Sequence, residues 1–200
     1  PQRSPPLIGN QGFPNSAPTG RIDVPQVPVS VYLITKNEAS RIARAVRSVV
    51  DWADEVIVVD SGSDDETVRI ATECGARVLH RDWDGYGPQK RFAEQQCRND
   101  WVLNLDADEE VTPALAEEIQ TAVNETDVNE TAVHRKATEQ AAFLMRITDM
   151  LPGEERPSAF AYSYHVLRLY DRRCGSMSDH PYQDRVEIHT GKTSALRGRI

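Results

Sequence analysis

The sequence predicts an α/β protein with a mostly parallel central sheet flanked by helices. Two observations predict it. Short, β-branched apolar runs at residues 29–35, 55–60, 76–80 and 101–105 have the length of buried strands. Segments of helical spacing alternate with those runs, and Gly, Pro, Ser, Thr or Asp punctuates their ends.

The elements follow in order. VSVYLIT, residues 29–35, lies between Pro28 and the polar KNE and reads as a buried strand. Ser40 is placed to cap a helix in which Ile42, Val46, Val49 and Val50 recur at helical spacing. EVIVVD, residues 55–60, is a second buried strand. SGSDDET is a turn, from which Asp64 or Asp65 can cap a helix to about Cys74, where Gly75 stops it. ARVLH is a short third strand. After the loop DWDGYG, Pro88 suits the first turn of a helix running to about Cys97. WVLNL is the fourth strand, and Thr112 and Pro113 open a helix with Leu115 and Ile119 facing inward. Beyond about Asn124 the pattern loosens. AAFLMRI and YHVLRLY read as later strands, separated by the loop DMLPGEERPS.

The bulk numbers bound the rest. A chain of 200 residues with 39% hydrophobic content suits one domain. Residues 1–28 read as a flexible Pro-rich tail without the layout of a signal peptide, and residues 29–200 as the domain. The chain starts without Met and stops on ALRGRI, which reads as a truncation at the C-terminus. No apolar run approaches a membrane span, and the mean hydropathy is −0.54. A net charge of −8 disfavours nonspecific binding to nucleic acid. Arg168, Arg172, Arg173, Arg185, Lys192, Arg197 and Arg199 crowd the last third, either as a solvated basic face or as a local basic site. Cys74, Cys97 and Cys174 form neither a metal pattern nor a disulfide framework, which fits a reducing compartment. Two NET triplets, at residues 124–126 and 129–131, read as polar surface loop.

Ligands of open parallel sheets bind beyond the carboxyl ends of the strands. The first strand ends in Thr35, Lys36, Asn37 and Glu38, the second in Asp60, the fourth in Asp106 and Asp108. Three polar clusters on one edge, two of them acidic, argue for a site. Asp106 and Asp108 are hard oxygen donors suited to Mg²⁺ or Mn²⁺, with a substrate's phosphates completing the shell. Glu109 and Glu110 read instead as negative charge ahead of the helix after Thr112. Asp60 either accepts from a nucleotide base or ribose, or bonds its own turn. Lys90 and Arg91, near a helix start, can meet phosphate.

The ordered set VYLITKNEASRIARAVRSV, EVIVVDSGSDDET, the G…QK helix and WVLNLDADEE resembles family 2 glycosyltransferases with the GT-A fold. The branch it most resembles is that of lipopolysaccharide core glucosyltransferases, through VLRLYDRR and HPYQDRVEIHTGKTSALRGRI. The resemblance implies a nucleotide-sugar half at about residues 29–123 and an acceptor half at about 124–200. It implies that Thr35, Lys36, Glu38 and Asp60 line the nucleotide pocket, with Asp60 on the base; Asn37 and Lys90 are expected among the nucleotide-sugar contacts beside them. Asp106 would lie near ribose and metal, and Asp108 would bind the metal, Mn²⁺ or Mg²⁺. Asp184 falls where the family's late acid sits and would be the general base, with Glu187 as its rival. Two positions depart from the family: Arg91 stands where Asn is usual, and Gln183 where His is common.

The implied activity is inverting transfer of a sugar from a nucleotide-diphosphate sugar, a UDP-sugar first, to a hydroxyl of a glycan or glycolipid. The implied setting is cytoplasmic, with peripheral contact at the inner face of the membrane. Two alternatives stand beside it. One is a noncatalytic nucleotide- or sugar-binding module on the same fold. The other is a phosphatase of the D-x-D type, although that motif normally ends the first strand of its domain and three strands precede it here.

Overall fold

The computed structural model describes residues 26–127, 139–150, 157–158 and 161–200. Most of the tail, the second NET triplet and most of DMLPGEERPS lie outside the described residues. The elements are β1 (Val27–Thr35), α1 (Ile42–Arg47), β2 (Ala53–Asp60), α2 (Thr67–Glu73), β3 (Arg77–His80), α3 (Tyr86–Gln95) and β4 (Trp101–Asn104). They continue with α4 (Pro113–Asp127), β5 (Gln140–Thr148), β6 (Ser163–Asp171), β7 (Gly175–Met177), β8 (Val186–Ile188) and β9 (Lys192–Arg199).

Seven strands form one sheet in the order β3-β2-β1-β4-β6-β5-β9, while β7 and β8 pair as a separate antiparallel ribbon. The first four strands of that order run parallel. β6 runs antiparallel to both β4 and β5, and β9 runs parallel to β5. Helices cover both faces. On one, Val29, Val31 and Leu33 of β1 share a core with Ile42 and Val46 of α1 and Leu115, Ile119 and Val123 of α4. On the other, Tyr32, Ile57 and Val59 meet Ala93 of α3. A strand covered on both sides has no wet face, so it reads as an unbroken apolar run.

The local signals hold with some corrections. β1 begins at Val27, which is buried and paired with Ala53, so the strand starts two residues before position 29. Ser40 does not cap α1; the Glu38 carbonyl accepts from the Arg41 and Ile42 N–H groups, and this turn leads the chain into the helix. Neither Asp64 nor Asp65 is the N-cap of α2, which is Glu66; Asp65 Oδ1 instead accepts from the Thr67 N–H at 2.9 Å and shapes the turn that leads into the helix. Gly75, at φ +99°, ends the following turn. β9 is held against α4 by Glu118, whose carboxylate accepts from the Arg197 and Gly198 N–H groups at 2.8 Å each.

Candidate active site at the carboxyl edge of the sheet

The register sets the strand ends level: Thr35 pairs with Asp60, and Asp60 with His80. The loops beyond them are stitched together. Asn37, at φ +57°, donates its N–H to Ser63 Oγ at 2.8 Å and accepts from the Asp64 N–H at 3.0 Å. Asn is among the few side chains that tolerate that backbone conformation. The Glu38 N–H donates to Thr67 Oγ1 at 2.8 Å, and the Glu38 carboxylate holds Arg41 at 2.6 Å. Asp60 folds onto its own turn: Oδ2 accepts from the Gly62 and Ser63 N–H groups at 2.9 Å, and Oδ1 accepts from the Ser63 hydroxyl. Lys36 is exposed and Thr35 is buried.

Beside these loops lies a cluster of two cations and three acids. The Lys90 side chain, 1% exposed, donates to Asp106 Oδ1 at 2.7 Å and to Asp184 Oδ2 at 2.6 Å. Arg168, buried on β6, donates to Asp106 Oδ2 at 2.7 Å and to Glu109 Oε1 at 2.6 Å. Glu109 Oε2 accepts in turn from the Asp106 N–H at 2.9 Å. Burial pushes the Asp106 carboxyl up, but Arg168 and Lys90 outweigh it and hold it down at about 2. At Glu109 burial wins: with Asp106 beside it, its carboxyl rises above the ordinary range despite Arg168. So the acids of the cluster are not equivalent charges. Asp106 is locked as a carboxylate between two cations, and Glu109 completes its cage.

Asp184 reaches the cluster because its segment is pressed onto the start of α3. The Tyr86 N–H donates to the Pro181 carbonyl at 3.1 Å. Gly87 leaves no room for a side chain, since a Cβ there would lie 2.3 Å from the His180 carbonyl oxygen. Behind it, buried Glu94 of α3 accepts from the Met177 N–H and, at 2.8 Å, from the Tyr170 hydroxyl, which meets the Tyr32 hydroxyl at 2.8 Å. Glu187, on β8, is paired with Arg185 at 3.2 Å and, among the described residues, bonds to no member of the Lys90 cluster.

Asp108 stands apart from the cage, 56% exposed, with Arg41 near it at 3.5 Å. Among the described residues no group of three or more His, Cys, Asp or Glu side chains forms a ready-made metal cage. A single open carboxylate still fits Mg²⁺ or Mn²⁺, which are held by one or two carboxylates while phosphates and water supply the remaining oxygens. Asp108 can serve in that way. Both oxygens of Asp106 are taken by Lys90 and Arg168.

The structure brings together Lys90, Asp106 and Asp184, to which sequence reasoning gave separate roles, and adds two members that it did not assign to the site. Arg168 is not part of a solvated basic face, and the signal was its position inside the apolar run of β6. Glu109 is not merely charge before a helix, because α4 begins only at Pro113. Four buried polar atoms at this edge have no hydrogen-bond partner among the described residues: Thr35 Oγ1, Gln89 Oε1, Asn104 Oδ1 and Arg168 Nε.

A mostly parallel central sheet with helices on both faces and polar strand ends along one edge is the architecture of a GT-A fold. The chain belongs to glycosyl transferase family 2, which it matches over residues 30–178. It is 42% identical over 151 residues to an uncharacterized glycosyltransferase of Rickettsia felis, covering 76% of this chain and 50% of that protein. It is 36% identical over 99 residues to the lipopolysaccharide core biosynthesis glycosyltransferase LpsC of Rhizobium meliloti, covering 47% and 36% of the two chains. Among solved structures it is similar to S. aureus TarS, at 22% identity and a TM-score of 0.45, covering 57% and 40%. Glucosyl-3-phosphoglycerate synthase of Mycobacterium tuberculosis, solved with Mn²⁺, UDP and glucosyl-3-phosphoglycerate, gives 27% identity and a TM-score of 0.41, covering 48% and 40%. The chain spans about half the length of the Rickettsia relatives it matches. Family membership leaves the phosphatase alternative without support.

Proposed function

We propose that this chain carries the donor site and the general base of an inverting sugar transferase that uses a nucleotide-diphosphate sugar, a UDP-sugar first. The observation that carries this reading is the shared lysine. Lys90 ties the strand-end acid Asp106 to Asp184, about eighty residues later in the chain, so two acids of different roles meet at one edge. The orphaned polar atoms of Thr35, Gln89 and Asn104 at that edge support a polar ligand, since an unpaired buried group costs about 1–3 kcal/mol.

Asp184 is the better base. Its Oδ2 is held by Lys90, while Oδ1 has no hydrogen-bond partner among the described residues. That oxygen takes the proton of the acceptor hydroxyl as the hydroxyl oxygen attacks the anomeric carbon. The carbon–oxygen bond to the diphosphate breaks on the opposite face, which inverts the centre. A divalent cation at Asp108, when bound, offsets the charge growing on the diphosphate. Asp106, caged between Lys90 and Arg168, sets the floor of the donor site and fixes Lys90. The acceptor is a hydroxyl of a glycan or glycolipid. Lipopolysaccharide core is the first candidate, on the strength of the named Rhizobium relative. Work on such an acceptor places the protein at the cytoplasmic face of the membrane. Among the described residues no helix is long and apolar enough to cross one.

Calorimetric titration of UDP with and without Mn²⁺, followed by donor-sugar hydrolysis and transfer assays, tests the proposal. Asp184→Asn is expected to lower turnover about 100-fold or more while UDP still binds, and Glu187→Gln to change it little. A chain that binds UDP but neither hydrolyses nor transfers any donor sugar is a binding module instead.

A further inference from the structure

Three aromatic side chains stand exposed around the segment that delivers Asp184. Trp83 packs edge-on against Tyr86 with ring centroids 4.8 Å apart, yet both rings remain about half exposed. Tyr182 is 87% exposed, with His180 against its ring. The backbone holds them together. The Tyr86 N–H donates to the Pro181 carbonyl, and Gly85 lies so close to Pro181 that a Cβ would sit 2.8 Å from the same oxygen. Tyr86 lies one helical turn before Lys90, on the same side of α3. Tyr182 lies two residues before Asp184.

Clustered aromatic surface left open to water at a site calls for an occupant. The occupant must present apolar faces on a body that is otherwise polar. A pyranose ring does so: its C–H groups form a flat patch that lies on an aromatic ring while its hydroxyls keep their water. The local charges fit a neutral sugar. Arg81 is paired with Asp84, and Arg185 with Glu187, so these charges are balanced pairwise and the rings carry no net basic patch from them.

We propose that Trp83, Tyr86 and Tyr182 form an acceptor platform that takes a neutral pyranose residue and turns its hydroxyl toward Asp184. This rests on the transferase reading, because it makes Asp184 the group that the sugar must face.

Saturation-transfer NMR tests it, with the methyl glycosides of glucose, galactose, mannose and N-acetylglucosamine as probes. Transfer to the ring C–H protons of at least one glycoside is expected. It should fall about fivefold or more in both Trp83→Ala and Tyr182→Ala. Val68→Ala, an exposed change on α2, should leave it unaltered. Thermal melts by circular dichroism check that the variants fold. Absence of transfer to every glycoside, or transfer that survives both substitutions, overturns the platform. So does Trp83-dependent binding to phosphatidylglycerol vesicles without a glycoside signal, which gives this face to a membrane. The UDP titration keeps the two readings apart: UDP bound without a glycoside signal sinks the platform alone, whereas a glycoside signal without UDP binding supports the platform and sinks the donor site.

Discussion

Lys90 and Arg168 both carry charge into the site, but removing them should not cost the same. Lys90→Met strips a cation from Asp106 and Asp184, whose side chains are 33% and 43% exposed and can turn to water. Met fills nearly the same volume and no longer has to be desolvated, so the loss should be about 1 kcal/mol. Arg168→Met strands Glu109, whose side chain is only 12% exposed, together with one face of Asp106. An uncompensated buried charge costs about 3–5 kcal/mol. Urea denaturation should therefore rank Arg168→Met well below Lys90→Met in stability, and the opposite order would show that burial of the cation decides. Asp106 adds a pH signature. Its folded carboxyl titrates at about 2, below the ordinary range near 4. Its contribution is thus fully present above that range and lost as pH falls from about 4 toward 2. The stability gap between the wild type and Asp106→Asn should close over that window, and a gap that stays constant down to pH 2 would contradict the caged carboxylate.

At the scale of elements, the approach of the 178–184 segment to α3 decides whether Asp184 arrives at all. Ala is the better helix former by about 1 kcal/mol, so propensity alone would favour Gly87→Ala. Sterics oppose it more strongly, because the new Cβ would lie 2.3 Å from the His180 carbonyl oxygen and 2.7 Å from that of Ser178. Both obstacles are backbone and cannot swing aside. The segment must lift, which loosens the Tyr86 N–H bond to Pro181 and draws Asp184 from Lys90. Faster hydrogen exchange at the Tyr86 amide, with transfer slowed at least about tenfold and the global melt little changed, is the expected result. Unchanged exchange would mean that α3 yields instead. Nothing in the sequence pointed to this docking, because the partners are backbone atoms some ninety residues away. β1 to β4 were legible for the opposite reason: strands buried on both faces must be apolar throughout. β7 and β8 are three residues each, and β9 is exposed along most of its length, so neither periodicity nor apolar content marks them.

At the scale of the whole molecule, the regular first half and the irregular second half are one folding unit. β6 lies between β4 and β5 in a single sheet, so the parallel strands β1 to β4 and the later strands share hydrogen bonds. They share a core as well: Phe143, Met145 and Leu169 pack in the same cluster as Val29, Val31 and Leu33. The Tyr32–Tyr170 hydroxyl pair and the Lys90–Asp184 ion pair cross the same divide. Halves joined in this way should unfold in one cooperative step. The three cysteines report on it. Cys97 is buried in the first half, where burial pushes its thiol up to about 12, and Cys174 is buried in the second. Cys74 is only partly buried. Alkylation across a urea series, read peptide by peptide, should label Cys74 early. Cys97 and Cys174 should then share one midpoint with the change in tryptophan emission from Trp52 and Trp101. Labelling of Cys174 well below that midpoint would show that the later strands can leave while β1 to β4 stay folded. In that case the pairing of Asp184 with Lys90 would be a docked, separable state rather than a fixed part of the fold.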